Sequence, residues 1–174
     1  MQAELTSRTA VPEDAEAINN LVNSVYRGDN AKKGWTSEAD MLDGIRIDTE
    51  NVKELIKSTG SVILLILKED GIVGCVHLEK KGGKCHLGML SVDVNYQGKG
   101  IGKLLMDKSE GYAKNDLKCD EMEMKVIGQR TELIEYYLRR GYIKTGQTEP
   151  FILNTHFGKP KAENLYFEYL VKKL

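Results

Sequence analysis

The chain has 174 residues, a length that suits one globular domain with a buried core, so we expect residues 1–174 to form a single domain. Apolar residues make up 41% of the sequence and charged residues 29%, which excludes general disorder. Lys plus Arg number 25 and Asp plus Glu 26, so the chain lacks the broad basic surface that nucleic acids and anionic membranes require. Neither is predicted as a partner.

The apolar and cysteine patterns concern the cellular compartment. The longest apolar run, Val62 to Leu67, is far shorter than the roughly 20 residues that cross a bilayer, and the N-terminus lacks a secretory signal pattern. Cys75, Cys85 and Cys119 are an odd number of cysteines without the spacing of a disulfide framework. We therefore expect a cytoplasmic protein with three free thiols.

The first third of the chain predicts one strand and two helices. A strand is expected near Leu5 to Thr9, and Pro12 suits the first turn of a helix. The apolar positions of that helix recur at i, i+3, i+4 and i+7, and they are Ile18, Leu21, Val22 and Val25. Residues 27–47 are predicted to be a helical lid with loops because glycines interrupt the pattern. Asp48 is the expected N-cap of a second helix that extends to about Lys57.

The middle of the chain predicts three successive antiparallel strands. Val62 to Lys68 is followed by the turn Asp70-Gly71 and by a partner strand, Ile72 to Glu79. A two-residue glycine loop at 82–83 then leads into Lys84 to Val92. The pairs predicted to face each other across this loop are Glu79 and His86, His77 and Gly88, and Cys75 and Leu90.

The remainder of the chain predicts helices that alternate with strands. The expected elements are a helix from Gly100 to about Lys114, a strand from Glu121 to Val126, a helix from about Arg130 to Arg140, and strands near Tyr142 to Thr145 and Asn164 to Lys172. One side of the first helix carries Ile101, Leu104, Leu105, Lys108 and Tyr112, and one face of the second carries Leu133, Ile134, Tyr137 and Leu138. The element order predicts a mixed α/β fold.

A glycine-rich turn is the segment most indicative of chemistry. The residues Gln97-Gly98-Lys99-Gly100-Ile101-Gly102 lie between a strand and a helix. Glycines let the backbone approach a phosphate, and a helix start supplies unpaired N–H groups with a positive dipole end. Lys103 takes the place of both the Gly of a nucleoside triphosphate loop and the third glycine of a dinucleotide fingerprint, so neither motif fits. The turn predicts a cradle for a diphosphate.

The turn resembles the central motif of the GNAT superfamily of N-acetyltransferases, which reads Gln or Arg, two residues, Gly, one residue, and Gly or Ala. The strand Leu87 to Val92 is similar to the fourth strand of that family, and Tyr136 to Tyr142 resembles its Phe-Tyr-x-x-x-Gly-Phe/Tyr ending. The resemblance covers about residues 62–145. It implies a mixed, mainly antiparallel seven-stranded sheet flanked by about four helices and splayed beside the glycine turn.

The resemblance also implies acetyl-CoA as co-substrate. Backbone groups of the strand end would hold the pantetheine arm, N–H groups of the turn would hold the diphosphate, and Tyr137 would donate a proton to the CoA thiolate. A core tyrosine is the alternative for Tyr137. Arg130 stands where the family often has Asn, which leaves its contact with pantetheine open. The cofactor-binding residues expected are Leu90, Ser91, Val92, Gln97, Gly98, Lys99, Gly100, Ile101, Gly102, Lys103 and Arg130.

The acceptor side and the general base rest on weaker patterns. A pocket for a cationic amine is predicted from the acidic residues Glu38, Asp40, Asp43 and Asp48, with Trp35 as an apolar wall. A solvated surface is the alternative for the acidic residues, and a core position is the alternative for Trp35. The base stays open among Glu79, His86, Glu123 and a water relay. Cys75, His77, Glu79 and His86 match no standard metal-ligand spacing, so no metal is predicted.

The function predicted from the resemblance is transfer of an acetyl group from acetyl-CoA to a primary amine of a small molecule or peptide by direct attack. A CoA-binding regulatory module without turnover is the alternative, because no base is evident. A nucleotide-dependent enzyme is a third candidate. The expected partners are acetyl-CoA and an amine acceptor, and the expected state is a monomer or homodimer.

Overall fold

A computed structural model describes residues 4–34, 37–69, 71–152 and 155–174. Its strands are β1 (Leu5–Thr9), β2 (Leu42–Asp43), β3 (Ser61–Lys68), β4 (Gly71–Lys81), β5 (Lys84–Val92), β6 (Glu121–Ile127), β7 (Ile143–Pro150), β8 (Lys159–Pro160) and β9 (Tyr166–Lys173). Its helices are α1 (Ala15–Tyr26), α2 (Gly28–Ala31), α3 (Thr49–Lys57), α4 (Ile101–Asn115) and α5 (Thr131–Arg139). None of the described helices is long and apolar enough to cross a membrane.

The main sheet has the strand order β1-β3-β4-β5-β6-β9-β7. Every neighbouring pair is antiparallel except β5 and β6, which are parallel. The predicted fold, a mixed and mainly antiparallel sheet of seven strands, is confirmed. Four longer helices flank the sheet as expected, and α2 adds a single turn.

Each face of the sheet carries its own apolar core. Helices α4 and α5 cover one face, and α1 and α3 cover the other. The four predicted apolar positions of α1 are all buried. The predicted N-cap of α3 is also confirmed, because the Asp48 carboxylate accepts a hydrogen bond from the Asn51 N–H at 2.8 Å. The three cysteines are buried and free.

The side of α4 that the sequence pattern indicated is fully buried only at Ile101 and Leu105. Lys108 is exposed and Leu104 only half-buried, whereas Met106, Ser109 and Ala113 are buried. Ser109 is tolerated in the core because its hydroxyl donates to the Leu105 carbonyl at 2.7 Å, which leaves no polar group unpaired. Because serine is polar, the apolar pattern of the sequence did not indicate that Ser109 lies on the buried face of α4. In α5, Leu138 is likewise more exposed than predicted, at 38%.

The register of β4 and β5 is as predicted for the first part of the hairpin only. Glu79 pairs with His86 and His77 with Gly88, but Cys75 pairs with Ser91 rather than Leu90. Strand β5 therefore holds one extra residue, a β-bulge, next to Met89, whose φ is +54°. The parallel pairing of β5 with β6 ends nearby, at Leu87 and Met124.

Residues 27–47 differ from the predicted helical lid. The described part of this segment, residues 27–34 and 37–47, contains only the single turn α2 and the two-residue strand β2, which pairs with β8. The buried Arg27 guanidinium holds this segment, since its Nη1 donates to the carbonyls of Asp43, Ile45 and Phe157. Contacts of Arg27 with residues 16 to 130 positions away, and not a regular helix, thus hold this segment in place. Asp70, in the predicted turn after β3, lies outside the described residues.

Candidate active site

Two adjoining cavities open where β5 and β6 diverge. The first, here called the glycine-turn cavity, has a volume of about 260 Å³ and lies against the glycine-rich segment. The second, the arginine cavity, has a volume of about 290 Å³ and lies between β5, β6 and the 27–46 segment. The residues that line both cavities are Tyr26, Leu90, Leu133 and Tyr137.

The glycine turn presents open backbone to its cavity. Gly98 and Gly100 have φ values of +75° and +82°, and a Cβ on either would meet no atom within 4 Å. Gly100 is the N-cap of α4, whose first backbone bond is donated by Leu104 to the Gly100 carbonyl at 3.0 Å. Within the described chain, no turn or loop hydrogen bond uses an N–H from Gly98 to Lys103. These N–H groups are available to an anion.

The other predicted residues of the turn divide into two groups. Gln97 lines the cavity, and its Nε2 donates to the Val92 carbonyl at 3.1 Å, which ties the turn to the end of β5. Lys103 also lines it. The side chains of Lys99, Ile101 and Ser91 line neither cavity. Lys99 donates to the Asn95 carbonyl, while Ile101 and Ser91 are buried beneath the turn.

Strand β5 borders the cavity with a free edge. Beyond Leu87, none of the described strands pairs with β5 on its β6 side. Leu90 and Val92 line the glycine-turn cavity from this edge. The Tyr26 hydroxyl donates to the Leu90 carbonyl at 2.6 Å, which fixes the backbone beside the bulge. An extended ligand with amide groups could pair with such an edge as an added strand.

Tyr137 lies at the junction of the two cavities. Its side chain projects from α5, is only 4% exposed, and packs against Tyr136 and Tyr142 with ring centroids 5.4 and 5.9 Å away. Its hydroxyl makes no hydrogen bond with any part of the chain that the structure describes. Burial raises the pKa of this phenol far above its ordinary value, so it stays neutral and can donate a proton.

The arginine cavity contains a buried cluster of charges. The Glu38 carboxylate lies 3.3 Å from the guanidinium of Arg27 through one oxygen and 3.3 Å from that of Arg130 through the other. All three side chains are at most 10% exposed. Arg130 was expected beside pantetheine. It is instead the N-cap residue of α5 and borders the arginine cavity, not the glycine-turn cavity.

The four carboxylates predicted to form an acidic pocket do not lie together. Of the four carboxylates, only Glu38 lines a cavity. Asp40 is on the surface, with a side chain that is 83% exposed and 3.4 Å from Lys32 Nζ. Asp43 lies near Lys161, and Asp48 caps α3. Trp35 lies outside the described residues.

The three candidates for a general base lie away from the cleft. Glu79, His86 and Glu123 line neither cavity. His86 Nε2 and Glu123 Oε1 are 3.4 Å apart in the paired part of β5 and β6, before the strands diverge. Among the described residues, no group of three His, Cys, Asp or Glu side chains is arranged to hold a metal.

Several cavity residues were not singled out from the sequence. These residues follow no motif, since Tyr26 ends α1, Lys125 lies in β6, and Arg27 and Arg46 lie between the named elements. Periodicity does reveal Tyr26 as a residue near the end of α1, but its hydroxyl contact with β5 spans 64 positions. Only the assembled sheet brings these side chains together.

The chain is similar to known acetyltransferases in sequence pattern and in structure. The sequence pattern of the acetyltransferase (GNAT) family matches residues 24–142. No curated protein sequence matches the chain. An N-acetyltransferase from Staphylococcus aureus Mu50 is similar in structure, with a TM-score of 0.74 at 13% identity over 98% of each chain.

Two further solved structures have the same fold. The ribosomal-protein-S18-alanine N-acetyltransferase of Escherichia coli has a TM-score of 0.73 at 10% identity, over 98% of this chain and 94% of its own. Mutant forms of the spermidine/spermine N-acetyltransferase SpeG of Vibrio cholerae have a TM-score of 0.67 at 14% identity, over 98% of this chain and 95% of theirs. Motif, sheet and cleft agree with the sequence pattern, and the chain belongs to the GNAT family of acetyltransferases.

Proposed function

We propose that the protein binds acetyl-CoA in the glycine-turn cavity and transfers the acetyl group to a primary amine of a small molecule or peptide in the arginine cavity. The observation that carries this proposal is the position of Tyr137, a neutral phenol that borders both cavities. The cavities draw on residues 26–167, so the proposal treats residues 1–174 as one catalytic domain. The free thiols support a reducing, cytoplasmic location.

The residues of the glycine-turn cavity fit the chemistry of CoA. N–H groups from Gly98 to Lys103 would bind the diphosphate at the start of α4, and the space that a Cβ would occupy at Gly98 and Gly100 lets the phosphates approach. The free edge at Leu90 and Val92 would bind the amide groups of pantetheine as an added strand. Lys103 adds positive charge beside the turn.

The arrangement supports direct transfer. Bound acetyl-CoA supplies an activated acetyl group as a thioester. Backbone N–H groups beside the bulge, near Leu90, would stabilise the negative charge that develops on the carbonyl oxygen. As the amine nitrogen bonds to the carbonyl carbon and the C–S bond breaks, Tyr137 would donate its proton to the departing thiolate and would regain one from water. Glu38 is the one carboxylate among the described residues of the cavities, and two arginines neutralise it, so water carries away the proton of the amine.

A release assay with a panel of amines tests the proposal. The panel includes spermidine and a peptide that begins with alanine, because two structural neighbours carry these acceptors in their names. We expect CoA release that depends on the amine, and a rise in melting temperature with CoA because a ligand of the folded state stabilises it. CoA binding without turnover of any amine would favour the regulatory module. No thermal shift at millimolar CoA would contradict the CoA site.

A further inference from the structure

We infer that the acceptor is a primary amine that also carries an anionic group, a carboxylate or a phosphate, and that Arg46 binds this group. The inference rests on the proposed function, because it takes the arginine cavity as the acceptor side. It goes beyond that function in assigning a charge to the part of the acceptor that does not react.

The charge of the arginine cavity is the first observation. Among the described residues that line it, four are cationic, Arg27, Arg46, Lys125 and Arg130, and one is anionic, Glu38. Glu38 already faces a guanidinium with each of its two oxygens. It therefore has little capacity left to attract a positively charged ligand. Lys125 is 3.7 Å from Glu149, which does not line the cavity, so the excess of positive charge comes from the arginines.

Among the cations that line the cavity, Arg46 has the guanidinium with the fewest partners in the described chain. Its backbone N–H donates to Asn23 Oδ1 at 2.6 Å, which fixes the residue beside α1. Its guanidinium lies 5.8 Å from the centre of the Tyr26 ring, and no ion pair or hydrogen bond joins it to another described residue. Arg27, by contrast, is bound by three carbonyls and Glu38. The donors of Arg46 are thus available to a ligand in the cavity.

The position of Arg46 points to the far end of the acceptor. It contacts the face of Tyr26, which lines both cavities, while Tyr137 lies at their junction. An amine that reacts near Tyr137 would extend its other end along the arginine cavity. A carboxylate or phosphate there would form a bidentate pair with the guanidinium, whereas a second ammonium would face like charges.

Matched amines test the charge preference. We would measure kcat/KM for γ-aminobutyrate, butylamine and putrescine, which differ in one end group, and for phosphoethanolamine against ethanolamine, with rates corrected for the neutral fraction of each amine. The anionic member of at least one series should exceed its neutral partner by about tenfold, the effect of one hydrogen bond to a charged group. The series that responds distinguishes carboxylate from phosphate.

Variants of Arg46 test the residue itself. Arg46→Gln should lower the ratio of kcat/KM for the anionic over the neutral amine by about tenfold. Arg46→Glu should reverse the preference towards putrescine. Because a ratio does not depend on the amount of folded enzyme, a loss of stability cannot imitate this result. Lys57→Gln, which removes an exposed cation outside both cavities, should leave the ratio unchanged.

The outcomes separate the two proposals. If neutral or cationic amines are acetylated as well as or better than anionic ones, this inference is wrong and the proposed function stands. If the anionic preference is present but survives in Arg46→Gln, the assignment of Arg46 is wrong. If CoA binds and no amine in any series or in the wider panel is acetylated, the proposed function itself is contradicted.

Discussion

The two cavities of the cleft are built in different ways. The glycine-turn cavity takes most of its lining from one continuous stretch, residues 90–103, and the three glycines in that stretch present backbone to it. The arginine cavity takes its lining from side chains between residues 26 and 167. A backbone site needs only the right chain geometry, so a short motif encodes it. A site made of distant side chains has no local signature, and its specificity emerges only when the sheet forms.

The two cavities also differ in whether their polar and charged groups have partners within the protein. The glycine turn leaves N–H donors open at the start of α4, where an anion can bind them. The arginine cavity satisfies its buried carboxylate internally, since Arg27 and Arg130 neutralise Glu38. Damage to the glycine turn should therefore weaken ligand binding, whereas damage to the Glu38 cluster should weaken the fold.

The largest effect is expected at Glu38. Glu38→Gln keeps the shape of the side chain but leaves Arg27 and Arg130 without their shared anion, and breaking a buried pair should lower the free energy of unfolding by about 3 kcal/mol. Urea unfolding measures this change. Affinity for CoA should stay near that of the wild type when measured on folded protein.

Asp40→Asn is the matched control for Glu38→Gln, because its exposed carboxylate contacts only Lys32 among the described ion pairs. It should change the free energy of unfolding by less than about 0.5 kcal/mol. Equal effects at positions 38 and 40 would show that the buried cluster is no more important to the fold than a surface pair.

The next effect concerns the glycine turn. Gly100→Asp places a side chain and a negative charge in the open space beside the N–H groups of α4. Like charge against a diphosphate costs several kcal/mol, so the Kd for CoA should rise by about two orders of magnitude. Isothermal titration calorimetry measures the change.

Gly82→Asp controls for backbone strain at Gly100. Gly82 also has a positive φ, +64°, and open space around a Cβ, but it lies in the loop between β4 and β5 and lines neither cavity. It should lose stability without losing CoA affinity. If both variants bind CoA as the wild type does, the glycine turn is only a structural turn.

A smaller effect on turnover is expected at Tyr137. Tyr137→Phe keeps the ring and removes the proton donor, so kcat should fall by up to about 10²-fold, the low end of general acid–base catalysis. CoA affinity should persist. Because burial raises the pKa of Tyr137, its ionisation should produce no fall in wild-type kcat as the pH approaches 10, the usual phenol value. A loss under about threefold, with chemistry rate-limiting, would argue for a purely structural tyrosine.

Two tyrosine variants give the comparison for Tyr137→Phe. Tyr142 is buried, and its hydroxyl contacts Glu110 at 3.2 Å outside the cleft, so Tyr142→Phe should alter stability rather than kcat. Tyr136 lines only the glycine-turn cavity of the two, so Tyr136→Phe should cost less turnover than Tyr137→Phe. A larger loss in Tyr136→Phe than in Tyr137→Phe would indicate that Tyr136, and not Tyr137, is the proton donor.

Local patterns explain which parts of the fold were predictable. The apolar face of α1, the cap at Asp48 and the glycine loop after β4 each depend on residues within about one helical turn or one hairpin of each other. The glycine turn could be found for the same reason. The bulge at Met89 could not, because a register shift is set by packing on both faces of the sheet rather than by nearby residues.

The acceptor side could not be predicted from local patterns in the sequence. A run of acidic residues indicated a pocket for a cation, but in the structure two arginines neutralise Glu38 while Asp40 faces solvent. Arg130 is 92 positions from Glu38, and no periodicity or motif connects them. The sign of the net charge in a buried pocket depends on such distant partners, so the composition of the sequence near one residue cannot predict that charge.

The bulge in β5 changes which face of the sheet the residues after it occupy. In a regular strand, residues two apart share a face, yet Leu87 packs in the core beside α4 and Met89 in the core beside α1. Leu90 and Val92 contact the core beside α4 again, so the extra residue inverts the odd–even order of the strand at this point. Removal of Met89 would restore regular alternation with Leu87, Leu90 and Val92 on one face, whereas removal of a residue outside the bulge would shift the pairing with β4. The bulge is therefore the position at which a change in the length of β5 disturbs its pairing least.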